Sequence, residues 1–403
     1  MGERGIWVRD RFCLNSIKPF TAIITHYGTG GALLYLRELG GTLGKMGFPA
    51  VYYLPEGTAL KTSECSMLRS ILKEASVSPP SLRLKTLKYA FHIVKYLFNT
   101  IAVKPERGIK VAHLLFPFYI TDILLIKRLK RKGIKIILTV HEVFPHKPFL
   151  GGKIDFNIMK MMYEKADLLL THTETLKSEL VERYNVGQER VVVIPHGYFE
   201  YPENTLSVDS LRLKYYLPSD KKVLLFFGSI RQNKGLDILL KAMRGLTSDF
   251  FLLITGQSAG ASELPEEYYR ELILTYGISD SVHWVNKYIS EDEASEVFKI
   301  ADAVILPYKR TFHAQSGVLN LAIGYEKPCV VSDVGGIGET VRNYGLGVVV
   351  EPESSEDLMR GIKRLFNNAQ SYGFKRYKEE NSWDRVAGLL IEKYKKMAVG
   401  DLK

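Results

Sequence analysis

Apolar runs of strand length alternate with longer amphipathic segments along nearly the whole chain, and the series occurs twice. The first copy has its runs at 21–25, 50–54, 110–115, 135–140, 167–171 and 190–194, with a helix expected over 33–46. The second has them at 222–227, 250–255, 282–285, 303–306, 329–332 and 347–350. Continuous apolar runs without strict alternation suit strands buried on both faces. Strands separated by helices build parallel sheets with helices on either side. The chain therefore reads as α/β, with two doubly wound, Rossmann-like parallel-sheet domains facing a cleft. The periodicity breaks between His196 and Lys221, where Pro, Tyr, Asn, Ser and Asp intervene. The expected division is a first domain at 1–198, a second at 199–380 and a terminal helical segment at 381–403. A length of 403 residues agrees, because one core rarely grows past roughly 250–300 residues.

Ligands of such sheets sit outside the carboxyl ends of the strands, so function is expected in the loops that follow the apolar runs. After the first run comes His26-Tyr-Gly-Thr-Gly-Gly31. Its glycines let a backbone approach a ligand at a helix N-terminus. It is no dinucleotide fingerprint, since the last glycine of G-x-G-x-x-G would fall on Leu33. After Phe227 comes Gly228-Ser-Ile-Arg231-Gln-Asn-Lys234-Gly235. An Arg and a Lys three residues apart at the mouth of a sheet can clamp a diphosphate, the Arg as a fork and the Lys as a point charge. After Leu306 the chain reaches Ser316 and Gly317, which open an apolar helix and offer N–H groups to a phosphate. A further glycine turn, Ser332-Asp-Val-Gly-Gly-Ile-Gly-Glu339, follows the run at 329–332. Three phosphate-compatible loops in one domain point to a nucleotide diphosphate ligand. In the first domain His141, in Thr139-Val-His-Glu-Val-Phe-Pro-His146, stands at a strand end, where a polar cleft contact and a structural histidine are both open readings. His196-Gly197 ends the last run of that domain and faces the hinge between the two.

The exclusions are as informative. There is no H-E-x-x-H, no G-x-S-x-G, no P-loop lysine after Gly28 and no aspartate cluster with metal spacing, so neither a metal nor a bound cofactor is expected. Cys13, Cys65 and Cys329 form no C-x-x-C, which suits a reducing cytosol and a cytoplasmic protein. The longest apolar stretch, 111–126, is interrupted by His113, Pro117 and Asp122, so no transmembrane helix is expected, and the charged start of the chain does not read as a secretory signal. Net charge is +11, but residues 1–150 hold 23 Lys+Arg against 9 Asp+Glu, or +14, leaving −3 for the rest. A solvated basic face and an anionic partner both account for that excess.

Taken together these segments resemble the family 4 retaining glycosyltransferases of the GT-B fold. FFGSIRQNKGLDILLKA is similar to that family's donor loop, and ADAVILPY with KPCVVSDVGGIGETV to its donor-domain signature. THYGTGG, LTVHEVFP and VVVIPHG resemble its first-domain segments. The resemblance implies transfer of a hexosyl group, mannosyl or glucosyl, from a GDP-, UDP- or ADP-linked sugar to a lipid-linked, polysaccharide or other glycan acceptor. Carried over, Arg231 and Lys234 bind the diphosphate beside Gly228, while Ser316, Gly317 and Val318 bind phosphate through backbone N–H. Gly30 and Gly31 approach the sugar and phosphate, His141 sits near the sugar and acceptor, and the base rests near Tyr288 and Ile289. The chain departs from the family where paired glutamates would stand, at His313 and Leu321. His313 can touch the sugar as a donor, whereas Leu321 cannot grip a ribose.

The stretch 82–103 mixes Arg83, Lys85, Lys88 and Lys95 with apolar residues, and 126–135 adds IKRLKRKGIK. Such a basic amphipathic surface suits peripheral contact with an anionic membrane. A core-facing helix with solvated lysines gives the same pattern. No helix-turn-helix or RNA-binding signature is visible, so no nucleic acid is expected. A nucleotide-sugar epimerase of the same fold and a catalytically silent GT-B partner are the other readings that the segments allow. In the family, a C-terminal helix such as the one expected after Ser382 packs back on the first domain.

Overall fold

The computed structural model describes residues 18–28, 30–56, 58, 67–73, 85–145, 148, 150–202, 204–258, 263–367 and 371–400. Cys13, Thr29, Cys65, Arg83 and His146, named above, lie outside the described residues, as does the start of the chain.

The first sheet has strands β1 (Thr21–Thr25), β2 (Ala50–Glu56), β3 (Met67–Lys73), β4 (Val111–Phe116), β5 (Lys135–Thr139), β6 (Leu168–Thr171) and β7 (Val191–Val193). The order is β3-β2-β1-β4-β5-β6-β7. The second has β8 (Lys222–Phe227), β9 (Phe250–Thr255), β10 (Val282–Val285), β11 (Ala303–Leu306), β12 (Cys329–Ser332) and β13 (Gly347–Val350), in the order β10-β9-β8-β11-β12-β13. Both are parallel sheets. All six strands of the second sheet begin and end where the apolar runs do. Helices pack on them through residues such as Leu236, Leu239, Leu240, Met243, Leu358 and Ile362, which join the strands in one buried cluster. In the first sheet β3 escapes the pattern, because Arg69, Ser70 and Lys73 break its apolar run and, among the described residues, it pairs with β2 alone.

By their internal contacts the residues fall into two units. One comprises Met1–Thr139, Glu164–Asp167 and Ala387–Lys403. Within it Tyr394, from the last helix, is fully buried, hydrogen-bonds His113 (Oη to Nδ1, 2.7 Å) and stacks on Phe48 at 5.6 Å. The other unit comprises Val140–Tyr163 and Leu168–Val386.

The strand orders fix where ligands can enter. In the first sheet the order reverses at β1, whose neighbours are β2 and β4; in the second it reverses at β8, between β9 and β11. The loops leaving β8 and β11 therefore flank a topological switch point, the place where doubly wound sheets form a binding crevice. These are the two loops that carry Arg231, Lys234 and Ser316.

Candidate active site

The loop after β8 is held by backbone close approaches that only glycine allows. Gly228 has φ +93° and its N–H donates to Thr255 O at 2.8 Å. A Cβ on Gly256 would stand 2.1 Å from Gly228 O. Beyond Arg231 the chain makes one tight turn, Gln232–Lys234, and Gly235 (φ +68°) starts the helix Leu236–Met243. A Cβ on Gly235 would lie 2.0 Å from Pro307 O, so the loops after β8 and β11 touch backbone to backbone. Lys309 joins them twice, through its N–H to Asn233 O (2.9 Å) and its Nζ to Asp237 Oδ2 (2.8 Å).

This folding carries the Lys234 ammonium inward. Its Nζ lies 5.9 Å from the Tyr308 ring centre, and a Cβ on Gly228 would meet Nζ at 3.1 Å and Val318 Cγ2 at 3.6 Å. Tyr308 is buried and its hydroxyl lies 3.2 Å from Ser316 Oγ. Ser316 Oγ accepts from Leu319 N–H at 3.3 Å and so caps the helix Gly317–Gly324. Gly228, Lys234, Ser316, Gly317 and Val318 thus come together around one helix N-terminus. Burial, and next to it the like charge of Arg231, pull Lys234 down to about 7. Neither cation has an ion-pair partner among the described residues. Two neighbouring cations at a helix N-terminus, one of them desolvated, form a site that an anion completes.

The segment after β5 lies against the same loops. Glu142 bridges Ala314 in antiparallel fashion, Val143 N–H donates to His313 O at 2.9 Å, and Gln315 N–H donates to His141 O at 3.4 Å. His141 is thereby set beside the approach to Ser316. Its Nδ1 lies 2.9 Å from Nε2 of His172, a buried residue at the carboxyl end of β6. His196, three residues past β7, completes a trio in which one ring nitrogen from each residue lies within 4.8 Å of the other two. Burial pulls His172 to about 4; burial, and then the charge of His172, bring His196 to about 3.

His313 Nδ1 pairs with Glu179 Oε1 at 2.8 Å, and Glu179 also receives Arg183 at 2.8 Å. Burial raises the Glu179 carboxyl, but the bonds from His313 and Arg183 outweigh it and hold it below its ordinary value. A carboxylate therefore does stand beside His313, supplied from another helix. Leu321 is buried. Tyr288 is 75% exposed and Ile289 half-buried, on the loop after β10.

The glycine turn after β12 serves packing. A Cβ on Gly335 would stand 2.5 Å from Ala314 O, and Gly336 N–H donates to that same oxygen at 3.1 Å. Glu339 accepts from the N–H groups of Glu174 (3.1 Å) and Thr175 (2.7 Å), capping another helix. This loop supports the Ser316 loop from behind. A cavity of about 550 Å³ opens elsewhere on this unit, beside β13 between Arg342 and Arg364, and holds none of the predicted residues.

In the first unit Gly30 (φ +58°) and Gly31 are exposed at the start of the helix Gly30–Lys45, with no atom within 4 Å of an added Cβ. Just before them His26, fully buried, sets Nε2 2.7 Å from Asp122 Oδ1, and Asp122 Oδ2 accepts Phe118 N–H at 2.9 Å. Spacing in the sequence gives no hint of this pair, nor of Glu179–His313 or His141–His172. A histidine at the carboxyl end of a strand was the one available signal for His172.

Two family models match the chain in succession: Glycosyltransferase Family 4 over residues 29–198, and Glycosyl transferases group 1 over residues 208–381. The chain belongs to this transferase family, and its fold is GT-B. It is similar to an uncharacterised glycosyltransferase of Methanocaldococcus jannaschii, 25% identical over 247 residues, 58% of this chain and 60% of that one. It is also similar to D-inositol 3-phosphate glycosyltransferase of Streptosporangium roseum, 24% identical over 284 residues, 66% and 65% of the two. The matched part thus spans about three fifths to two thirds of these relatives' lengths. Among solved structures, sucrose-phosphate synthase of Thermosynechococcus elongatus superposes with a TM-score of 0.75 at 19% identity, over 95% of this chain and 100% of that one. Anabaena HepE in complex with UDP and glucose gives 0.66 at 14%, over 94% and 100%.

Proposed function

We propose that the chain transfers a hexosyl group, mannosyl or glucosyl, from a nucleotide diphosphate sugar to a lipid-linked, polysaccharide or other glycan acceptor, with retention of configuration. The observation that carries this reading is the desolvated Lys234 ammonium beside Gly228 and the Ser316-capped helix N-terminus. The solved relative bound to UDP and glucose supports a nucleotide-sugar donor. Residues 199–380 hold the donor and 1–198 the acceptor.

In this reading the diphosphate lies against Arg231, Lys234 and the N–H groups of Gly317 and Val318, with the base near Tyr288 and Ile289. The bond from the anomeric carbon to the phosphate oxygen breaks as the acceptor oxygen attaches on the same face. The acceptor's proton passes to the departing phosphate oxygen. Negative charge grows on the diphosphate as this happens, so the two cations and the helix N-terminus act on the transition state more than on the ground state. These residues account for charge neutralisation without a metal.

Thermal shift and calorimetry with GDP, UDP and ADP, each with and without a chelator, test the reading. One nucleotide binding strongly, unaffected by chelator and lost in Arg231→Ala, is the expected result. Binding by none of the three would leave the catalytically silent reading, which His313 and Leu321 motivate.

The acceptor side suggests a membrane. Val94, Phe98 and Ile101, at helical spacing on the helix Lys85–Ala102, are 49%, 67% and 53% exposed. Leu124 is 49% exposed on the basic helix Tyr119–Arg131, which packs beside it. No helix among the described residues is long and apolar enough to cross a membrane. Apolar residues amid lysines suit insertion among anionic headgroups. Flotation with anionic vesicles at low salt is the check; a protein left at the bottom of the gradient removes this part of the proposal.

A further inference from the structure

Strand β13 ends its sheet among the described residues, and its register shows which of its backbone groups are used. Cys329 N–H donates to Leu346 O at 3.0 Å and Asp333 N–H to Val350 O at 2.9 Å, so the even-numbered residues of β13 face β12. Backbone groups of alternate residues point to opposite sides of a strand, which turns those of Gly347, Val349 and Glu351 toward the open edge. Glu351 N–H is closed there by Asp357 Oδ2 at 2.9 Å. The N–H and C=O of Val349 meet no partner among the described residues. The cavity of about 550 Å³ beside β13 is lined by Gly347, Val349 and Arg364, so the edge is uncovered on that side. The strand itself, Gly-Val-Val-Val, carries neither the charge nor the proline that commonly blunts an edge.

We propose that β13 is the interface with a second copy of this chain, the two strands pairing antiparallel about a two-fold axis at Val349. Each Val349 then gives its N–H to the other's C=O, and each Gly347 N–H reaches the other's Glu351 C=O, while Glu351 N–H keeps Asp357. Two six-stranded sheets join through their edges in this way. The pairing does not depend on the proposed reaction.

Charge selects a second copy over a foreign strand. The helix Ser355–Asn367 runs back along β13: Asp357 bonds Glu351, a Cβ on Gly361 would stand 2.4 Å from Val350 Cγ1, and Arg364 reaches the cavity beside Gly347. The edge is thus anionic at its carboxyl end and cationic at its start. At the anionic end Arg342 pairs with Asp333 and Arg360 with Asp357, whereas Arg310 serves both Glu351 and Glu353, which leaves one negative charge over. At the other end Arg364 is exposed and makes no ion pair among the described residues. Asp357 to Arg364 spans about 10 Å of helix and Gly347 to Glu351 about 13 Å of strand. A two-fold axis through Val349 therefore sets Arg364 of each copy against the acidic end of the other. The same strand laid parallel would set like ends together. Self-complementarity of this kind is what an isologous interface requires.

The test is sedimentation equilibrium of the full chain across a wide concentration range, at low and at high salt. A dimer that loosens as salt rises is expected. Val349→Pro removes an outward N–H and no bond to β12, so it should give a monomer that still melts cooperatively. Arg364→Glu should raise the dissociation constant at least about tenfold, since each like-charge contact occurs twice across the axis. Glu351→Lys combined with Arg364→Glu exchanges the two signs and should recover the dimer, which simple damage by Arg364→Glu would not allow. A parent protein that is monomeric at every concentration overturns the proposal and leaves the edge to a strand of another protein. A dimer that survives both Val349→Pro and Arg364→Glu overturns it too, because the two copies then meet elsewhere. If Val349→Pro does not fold, the charge exchange decides alone: a double variant no tighter than Arg364→Glu refutes the pairing.

Discussion

Lys234 folds back over its own loop until Nζ lies 3.1 Å from the point that a Cβ on Gly228 would occupy. The glycine is required there for two independent reasons, its φ of +93° and the space the ammonium fills. Gly228→Ala should add strain of about 1–3 kcal/mol and displace the ammonium. We expect a lower melting temperature and nucleotide affinity weakened at least about tenfold, the equivalent of 1.4 kcal/mol. Calorimetry on the variant decides: unchanged affinity would mean that the Lys234 head does not meet the ligand.

An ammonium that burial and Arg231 hold near 7 must be charged to hold a diphosphate. Above pH 7 binding therefore draws in a proton, and affinity should fall by up to about tenfold per pH unit. Calorimetry in two buffers of different ionisation enthalpy measures this uptake. It should approach one proton by pH 8 and vanish in Lys234→Ala; no uptake in the parent protein would refute the assignment.

Lys234→Ala should also lower kcat/KM by about 10²–10³-fold, as for loss of one preorganised donor to a developing charge. Steady-state kinetics with the nucleotide sugar identified by binding provides the measurement. Near-normal turnover in this variant sinks the donor-site assignment.

Much of the frame is written in the sequence, because strands such as β8 and β9 are covered on both faces and tolerate few polar residues. The glycine loops after β8 and β11 are legible for a related reason: Gly228 and Gly235 are demanded by local backbone geometry, Lys234 directly precedes Gly235, and Ser316 directly precedes the helix that it caps. What could not be read depends on approach in three dimensions. His172 meets His141 only where the loops after β5 and β6 approach each other, and Glu179 meets His313 only because its helix passes there. The turn at Gly335 looks the same in sequence as a phosphate loop, yet its backbone packs on Ala314. Strand β3 stayed hidden because an edge strand can carry Arg69 and Ser70 without losing its place.

A last prediction concerns stability and the buried His113. Its ring is fully enclosed, hydrogen-bonded to Tyr394 Oη and Thr139 Oγ1, each at 2.7 Å, and burial pulls it down to about 3. The unfolded chain binds the proton at an ordinary histidine value near 6.5, so between pH 6.5 and about 3 the unfolded state holds more protons. The stability owed to neutral His113 is present in full above pH 6.5 and is lost progressively as the pH falls, about 2 kcal/mol by pH 5. His172 and His196 add to the trend with the same sign. His113→Gln keeps one donor and one acceptor but cannot take up the proton. The variant should melt below the parent at pH 7.5, and the gap should narrow by pH 5 by an amount worth about 2 kcal/mol. Melting curves for both proteins across this range are the measurement. A gap that stays constant from pH 7.5 to 5 would show that His113 does not carry this proton-linked stability.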